Sequence, residues 1–98
     1  MKRQQIITKL KNETDLLRRY SIQNIYLFGS TARNEAVETS DVDLIVEFLP
    51  DSRISLFQFS RLRQELSEIL NSDVDLVTPD ALHKDLKAEI LKEAIHAA

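Results

Sequence analysis

The chain has no cysteine, which excludes disulfides and thiolate metal sites. It has one glycine, Gly29, so Gly-rich flexible linkers are excluded as well. No apolar run approaches the roughly 20 residues that a membrane span needs. The opening Met1-Lys2-Arg3-Gln4-Gln5 does not lead into the apolar core of a signal peptide. These absences set the expectation of a cytoplasmic protein with no membrane association. An excess of basic charge is lacking too: the formal net charge is −3. A general nucleic-acid binder carries a basic surface to displace counterions, so direct nucleic-acid binding is not expected. A nucleotide substrate stays open, because bound metal ions can reverse the local charge of an acidic pocket.

What is present is ordinary for a soluble domain: 98 residues, 43 % hydrophobic and 30 % charged. That length suits one domain, residues 1–98, with one modest core. From Lys2 to about Tyr20, the residues Ile6, Ile7, Leu10, Leu17 and Tyr20 recur at three- and four-residue steps, which predicts an amphipathic helix. Ile25-Tyr26-Leu27-Phe28 is a β-prone run stopped by Gly29 and predicts a buried strand. Ser30 to Asn34 is expected to form a turn or the first turn of a short helix. Asp43 to Phe48 predicts a second strand, ended by a turn at Pro50-Asp51.

Leu56, Phe59, Leu62, Leu66 and Ile69 predict a helix from about Ser55 to Leu70. Asp73 to Val77 predicts a third strand. Thr78 as N-cap and Pro79 at the first helical position start a last helix, expected to reach about His96 with Leu82, Leu86, Ile90 and Ala94 inward. The order α-β-(short α)-β-α-β-α gives an α/β or α+β fold: a small sheet of about three strands with helices covering one face. Ser40-Asp41-Val42-Asp43-Leu44 returns as Ser72-Asp73-Val74-Asp75-Leu76, which reads as two strands with similar entries. The match is too short to be a structural repeat.

The informative segment is Leu27-Phe28-Gly29-Ser30-Thr31-Ala32-Arg33, followed by Ser40-Asp41-Val42-Asp43-Leu44-Ile45-Val46. Positions i and i+2 of a strand point to the same side, so Asp41 and Asp43 stand about 6–7 Å apart on one face. Two anions so placed repel, and the pair makes sense mainly with a cation between them. An Asp-x-Asp alone is more often a pair of exposed turn acids. A Gly-Ser turn alone is more often just the end of a strand. Together they say more: Gly29 lets the backbone approach a phosphate, and Ser30 adds a hydroxyl and an N–H at what is expected to be a helix start. Asp75 is the candidate third carboxylate, since it precedes Leu76-Val77 as Asp43 precedes Leu44-Ile45. Asp73 is its competitor. Arg33 could contact a triphosphate or pin the loop to Glu35 or Asp41. His83 and His96 read as surface residues of the last helix. Arg53, Arg61 and Arg63 read as a solvated face that could also meet an acidic partner.

The pattern Phe28-Gly29-Ser30-x-Ala32-Arg33, then Ser40-Asp41-x-Asp43-Leu44, then Val74-Asp75-Leu76-Val77 resembles the DNA-polymerase-β-like nucleotidyltransferase superfamily. With this length it looks most like the minimal nucleotidyltransferase (MNT) proteins, and the resemblance covers nearly the whole chain. Asn34 stands where these proteins commonly have glycine, and Asn71 where glycine is common before the third-Asp strand. Neither departure touches a proposed ligand. The resemblance implies that Gly29 and Ser30 hold the triphosphate tail of ATP and that Arg33 assists. It implies that Asp41, Asp43 and Asp75 hold Mg²⁺, two ions, and that the acceptor hydroxyl attacks the α-phosphorus with loss of pyrophosphate. It further implies a HEPN-domain ribonuclease toxin as partner, adenylylated on a tyrosine, with this chain as its antitoxin in a hetero-oligomer. No residues remain for an acceptor-binding domain, so the acceptor is expected to bring its own docking surface. Alternatives from other classes are a binding-only antitoxin with vestigial aspartates, an enzyme acting on a small acceptor, and a scaffold subunit.

Overall fold

The computed structural model describes residues 2–32 and 41–98, without the side chains of Ser30, Thr31 and Leu86. Elements follow in the order α1 (Arg3–Lys11), α2 (Thr14–Arg19), β1 (Ile22–Leu27), α3 (Gly29–Ala32), β2 (Val42–Phe48), α4 (Leu56–Leu70), β3 (Val74–Val77), a 3₁₀ turn (Pro79–Ala81), α5 (Lys84–Glu93) and β4 (Ile95–His96). The sheet order is β3-β2-β1-β4. β1 runs antiparallel to β2 and to β4, while β2 and β3 are parallel. A parallel pair needs a long crossover, and α4 provides it. The mixed α/β architecture agrees with the sequence reading.

Strand β2 sets the two faces. Val42, Leu44 and Val46 are buried in one cluster with Ile25 and Leu27 of β1, Val74 and Leu76 of β3, Ile6 and Leu10 of α1, Leu16 of α2, and Leu62, Leu66 and Leu70 of α4. At 25 cal/mol per Å² of apolar surface, each such side chain contributes about 1.5–3 kcal/mol. The intervening Asp43, Ile45 and Glu47 point to the opposite face, as period-2 alternation requires. Ile45 is fully buried yet outside the cluster, and the 3₁₀ turn packs against β2.

Helix α4 is delimited by local chemistry. Ser55 Oγ accepts from the Gln58 N–H (3.1 Å), and Gln58 Oε1 accepts from the Ser55 N–H (2.9 Å), a complete capping box. At the other end Asn71 takes a left-handed conformation, φ 51°. An asparagine tolerates this region better than most residues, so Asn71 does the work expected of a glycine there.

Three expectations are corrected. The first helix is two helices, broken at Asn12–Glu13, where Glu13 leaves helical geometry at ψ 54°. The apolar period continues through the break, which is why the sequence conceals it. The last helix is shorter than the pattern suggests: Pro79 opens only a 3₁₀ turn, without a side-chain cap from Thr78, and α5 starts at Lys84. The chain then extends into β4, a fourth strand that the sequence reading assigned to helix. Backbone pairing explains it: Ile25 N–H donates to Ala98 (2.8 Å) and Ala97 N–H donates to Ile25 (2.7 Å), covering the edge of β1. A two-residue strand has no periodicity to detect. Leu82, Ile90 and Ala94 are only half-buried, and α5 packs on α3 outside the main core.

A polar cluster ties α2 to α4. Tyr20, 4 % exposed, donates its hydroxyl to Glu65, which also pairs with Arg19 at 3.1 Å. The Tyr20 hydrogen bond, aided by Arg19, holds the Glu65 carboxyl below its ordinary value, and burial with Glu65 nearby raises the Tyr20 phenol. A lowered folded value stabilises the charged form, so this contribution is present above about pH 4.5 and lost as pH falls through the folded Glu65 value. Tyr20→Phe is expected to cost about 1 kcal/mol in urea unfolding at neutral pH. The difference from wild type should shrink in acid; a difference that grew there would contradict the assignment.

Candidate active site

Parallel pairing brings the acidic residues of two sequence-distant segments together. Val42 pairs with Val74, Asp43 with Asp75 and Leu44 with Leu76. Asp43 and Asp75 are therefore lateral neighbours on the face opposite the core, about 4.8 Å apart by strand spacing. Asp41 immediately precedes β2, and the Val42 N–H donates to the Asp73 carbonyl at 2.8 Å, which fixes the entry of both strands. The register places Asp73 alongside Asp41. Asp41 and Asp75 are exposed, Asp43 half-buried.

Gly29 sits directly against this row. Its φ is +61°, and a Cβ built on it would lie 2.6 Å from Asp43 Oδ2. The missing side chain is thus the space that the Asp43 carboxylate occupies. Phe28 N–H donates to the Asp43 carbonyl (3.1 Å), locking the end of β1 to the start of β2. α3 begins at Gly29, and the leading N–H groups of such a turn have no intrahelical acceptor. Arg3 of α1 donates its guanidinium to the Ala32 carbonyl at 2.8 Å, holding the other end of α3. Sequence reading did not find Arg3; its long-range role carries no local signal. Arg33, Asn34 and Glu35 lie outside the described residues.

The donor set is entirely carboxylate oxygen, which matches Mg²⁺ and not a thiophilic ion. Among the described residues no three acidic or histidine side chains converge closely enough to hold one ion. Like charges repel, and the backbone register leaves the gathering of Asp41, Asp43 and Asp75 to side-chain rotation.

The same sheet face carries a polar array that the sequence reading missed. Asn24 donates to Glu47 (3.3 Å), and its carbonyl lies 2.9 Å from His96 Nε2. The His96 ring meets Tyr26 edge-on, with centroids 5.3 Å apart. Burial, and then the hydrogen bond to Glu47, raises the Tyr26 phenol. The alternation at residues 24/26 and 43/45/47 was the available signal. His96 belongs to β4 rather than to the last helix. His83 is at the N-cap of α5, where Nδ1 accepts from the Asp85 N–H (3.2 Å).

Residues 8–97 match the nucleotidyltransferase domain family. The protein adenylyltransferase MntA of Thermococcus cleftensis is 36 % identical over 91 residues, 93 % of this chain and 88 % of that protein. A solved structure described as a minimal nucleotidyltransferase superposes with a TM-score of 0.80 at 33 % identity, covering 97 % of this chain and 95 % of that one. A chain from the complex of tri-AMPylated Shewanella oneidensis HEPN toxin with MNT antitoxin superposes with a TM-score of 0.66 at 28 % identity, covering 98 % and 71 %. No helix among the described residues is long and apolar enough to cross a membrane. With its Gly-Ser turn set against an Asp-x-Asp strand and a third aspartate in parallel register, the chain belongs to the nucleotidyltransferase domain family, in the branch that includes the minimal nucleotidyltransferases.

Proposed function

We propose that residues 1–98 act as one Mg²⁺-dependent unit that transfers AMP from ATP to a tyrosine hydroxyl of a HEPN toxin, and so serve as its antitoxin in the cytoplasm. The observation that carries this reading is the register of Asp43 with Asp75 above the bare Cα of Gly29. Stability alone gives no reason to align two carboxylates on adjacent strands, since opposed like charges are destabilising. The similarity to the antitoxin in a complex with an AMPylated toxin supports a toxin protein as the acceptor.

In this reading the backbone N–H groups of Gly29 and Ser30 hold the triphosphate tail, with Arg33 as a further contact. Asp41, Asp43 and Asp75 would hold Mg²⁺, which supplies charge neutralisation at the attacking and leaving oxygens. Asp75 helps to activate the acceptor hydroxyl. The hydroxyl oxygen bonds to the α-phosphorus as its proton passes to the Asp75 carboxylate, and the bond to the bridging oxygen of pyrophosphate breaks in line. The protein's share is positioning, through the strand register that aligns Asp43 with Asp75.

The test is label transfer from α-³²P-ATP with Mg²⁺ to the protein encoded by the neighbouring gene, expected to be a HEPN toxin. Label on a tyrosine of that protein is the expected result. A stable neutralising complex without label would instead establish a binding-only antitoxin.

A further inference from the structure

At the far end of β2 from Asp43, about 16 Å along the strand, the fold opens a groove of about 520 Å³ whose walls include Phe48, Leu49, Ile54, Leu56, Phe59 and Pro79. The surface beside it is unusually apolar: Leu56 and Leu49, which line the groove, are 87 % and 47 % exposed, and Phe57, the next residue of α4, is 90 % exposed. Large apolar side chains exposed contiguously mark interaction sites. On α4, Phe57 and Arg61 are one turn apart, as are Leu56 and Ser60. A second hollow forms around Ser60 between Phe57, Arg61 and Gln64.

Charge says what kind of surface fits. The groove itself is lined by Glu47 and Asp80 against Lys87, whereas the start of α4 beside it carries Arg61 and Arg63, with Arg53 just before the helix, against the single acid Asp51 between residues 49 and 64. All three arginines are exposed. The next carboxylate, Glu65, is held by Tyr20 and Arg19. A basic, apolar strip about two helical turns long complements a helix that presents an apolar side chain flanked by carboxylates.

We propose that the exposed start of α4 is the docking surface for the acceptor protein, engaging an acidic amphipathic helix on it. The proposal rests on the protein acceptor of the preceding reading. It separates grip from chemistry: the partner is held at α4 and reacts at the aspartates of β2 and β3.

The test uses the full chain and the neighbouring-gene protein, taken as the HEPN toxin, by calorimetry and by adenylylation kinetics. The variants are Phe57→Ser and the double variant Arg53→Glu with Arg63→Glu, all at exposed positions; circular dichroism and thermal unfolding check their fold. The expected result is a tenfold or larger rise in Kd for each. KM for the acceptor rises with it, kcat at saturating acceptor is unchanged, and the double variant loses much of the salt dependence of binding. Wild-type affinity and KM in both folded variants would overturn the docking surface and leave the function standing. Failure of the wild-type chain to bind the HEPN protein at all would overturn both.

Discussion

Asp43→Asn is expected to lower AMP transfer by at least about 10³-fold, some 4 kcal/mol of transition-state stabilisation, while the chain stays folded. Asparagine keeps the shape of the side chain while removing its charge and replacing one acceptor oxygen by an NH₂ donor; the Phe28–Asp43 bond is backbone to backbone, so it and the strand register survive. Asp75→Asn should do the same to activity. It should also affect stability in a direction that a structural aspartate would not. Asp75 is exposed and opposes Asp43 across a parallel pair, so removing its charge without divalent cation should leave stability unchanged or raise it by a few tenths of a kcal/mol. Wild type should gain stability as Mg²⁺ is added, and each variant should gain less. Thermal unfolding with and without Mg²⁺ checks this apart from turnover. Full activity in both variants would remove the aspartates from the chemistry.

The second large effect belongs to Gly29→Ala. A left-handed backbone costs a non-glycine residue roughly 1–2 kcal/mol. The new methyl would also stand 2.6 Å from Asp43 Oδ2, inside any allowed contact, so the carboxylate must swing away. Displacing a reacting group's anchor by about 1 Å can cost on the order of 10²-fold in rate. The expected outcome is therefore a modest loss in denaturant midpoint with a disproportionate loss of kcat. A variant that lost stability but kept wild-type kcat would show Gly29 to be a turn residue only.

The candidate site was legible because its chemistry sits in two short contiguous segments. A glycine in a chain that has one, a serine beside it, and alternating aspartates at a strand entry carry their meaning locally, and the third aspartate announced itself by repeating the entry of the second strand. What could not be read was anything held by distant pairing. Arg3 reaches Ala32 across 29 positions, and the Asn24–Glu47–His96 array joins three strands. β4 exists only because the edge of β1 needs partners for its backbone groups.

The sequence by itself determined the type of most elements, the buried face of α1 and most of that of α4, and the candidate residues for phosphate and cation. Periodicity, capping chemistry and conformational freedom are properties of a few neighbouring residues. Tertiary structure decided the parallel register that sets Asp75 beside Asp43, the contact that favours glycine at position 29, and the exposure of Phe57 beside Arg61. Each of these depends on which surfaces meet after the strands pair, and a linear pattern does not specify that.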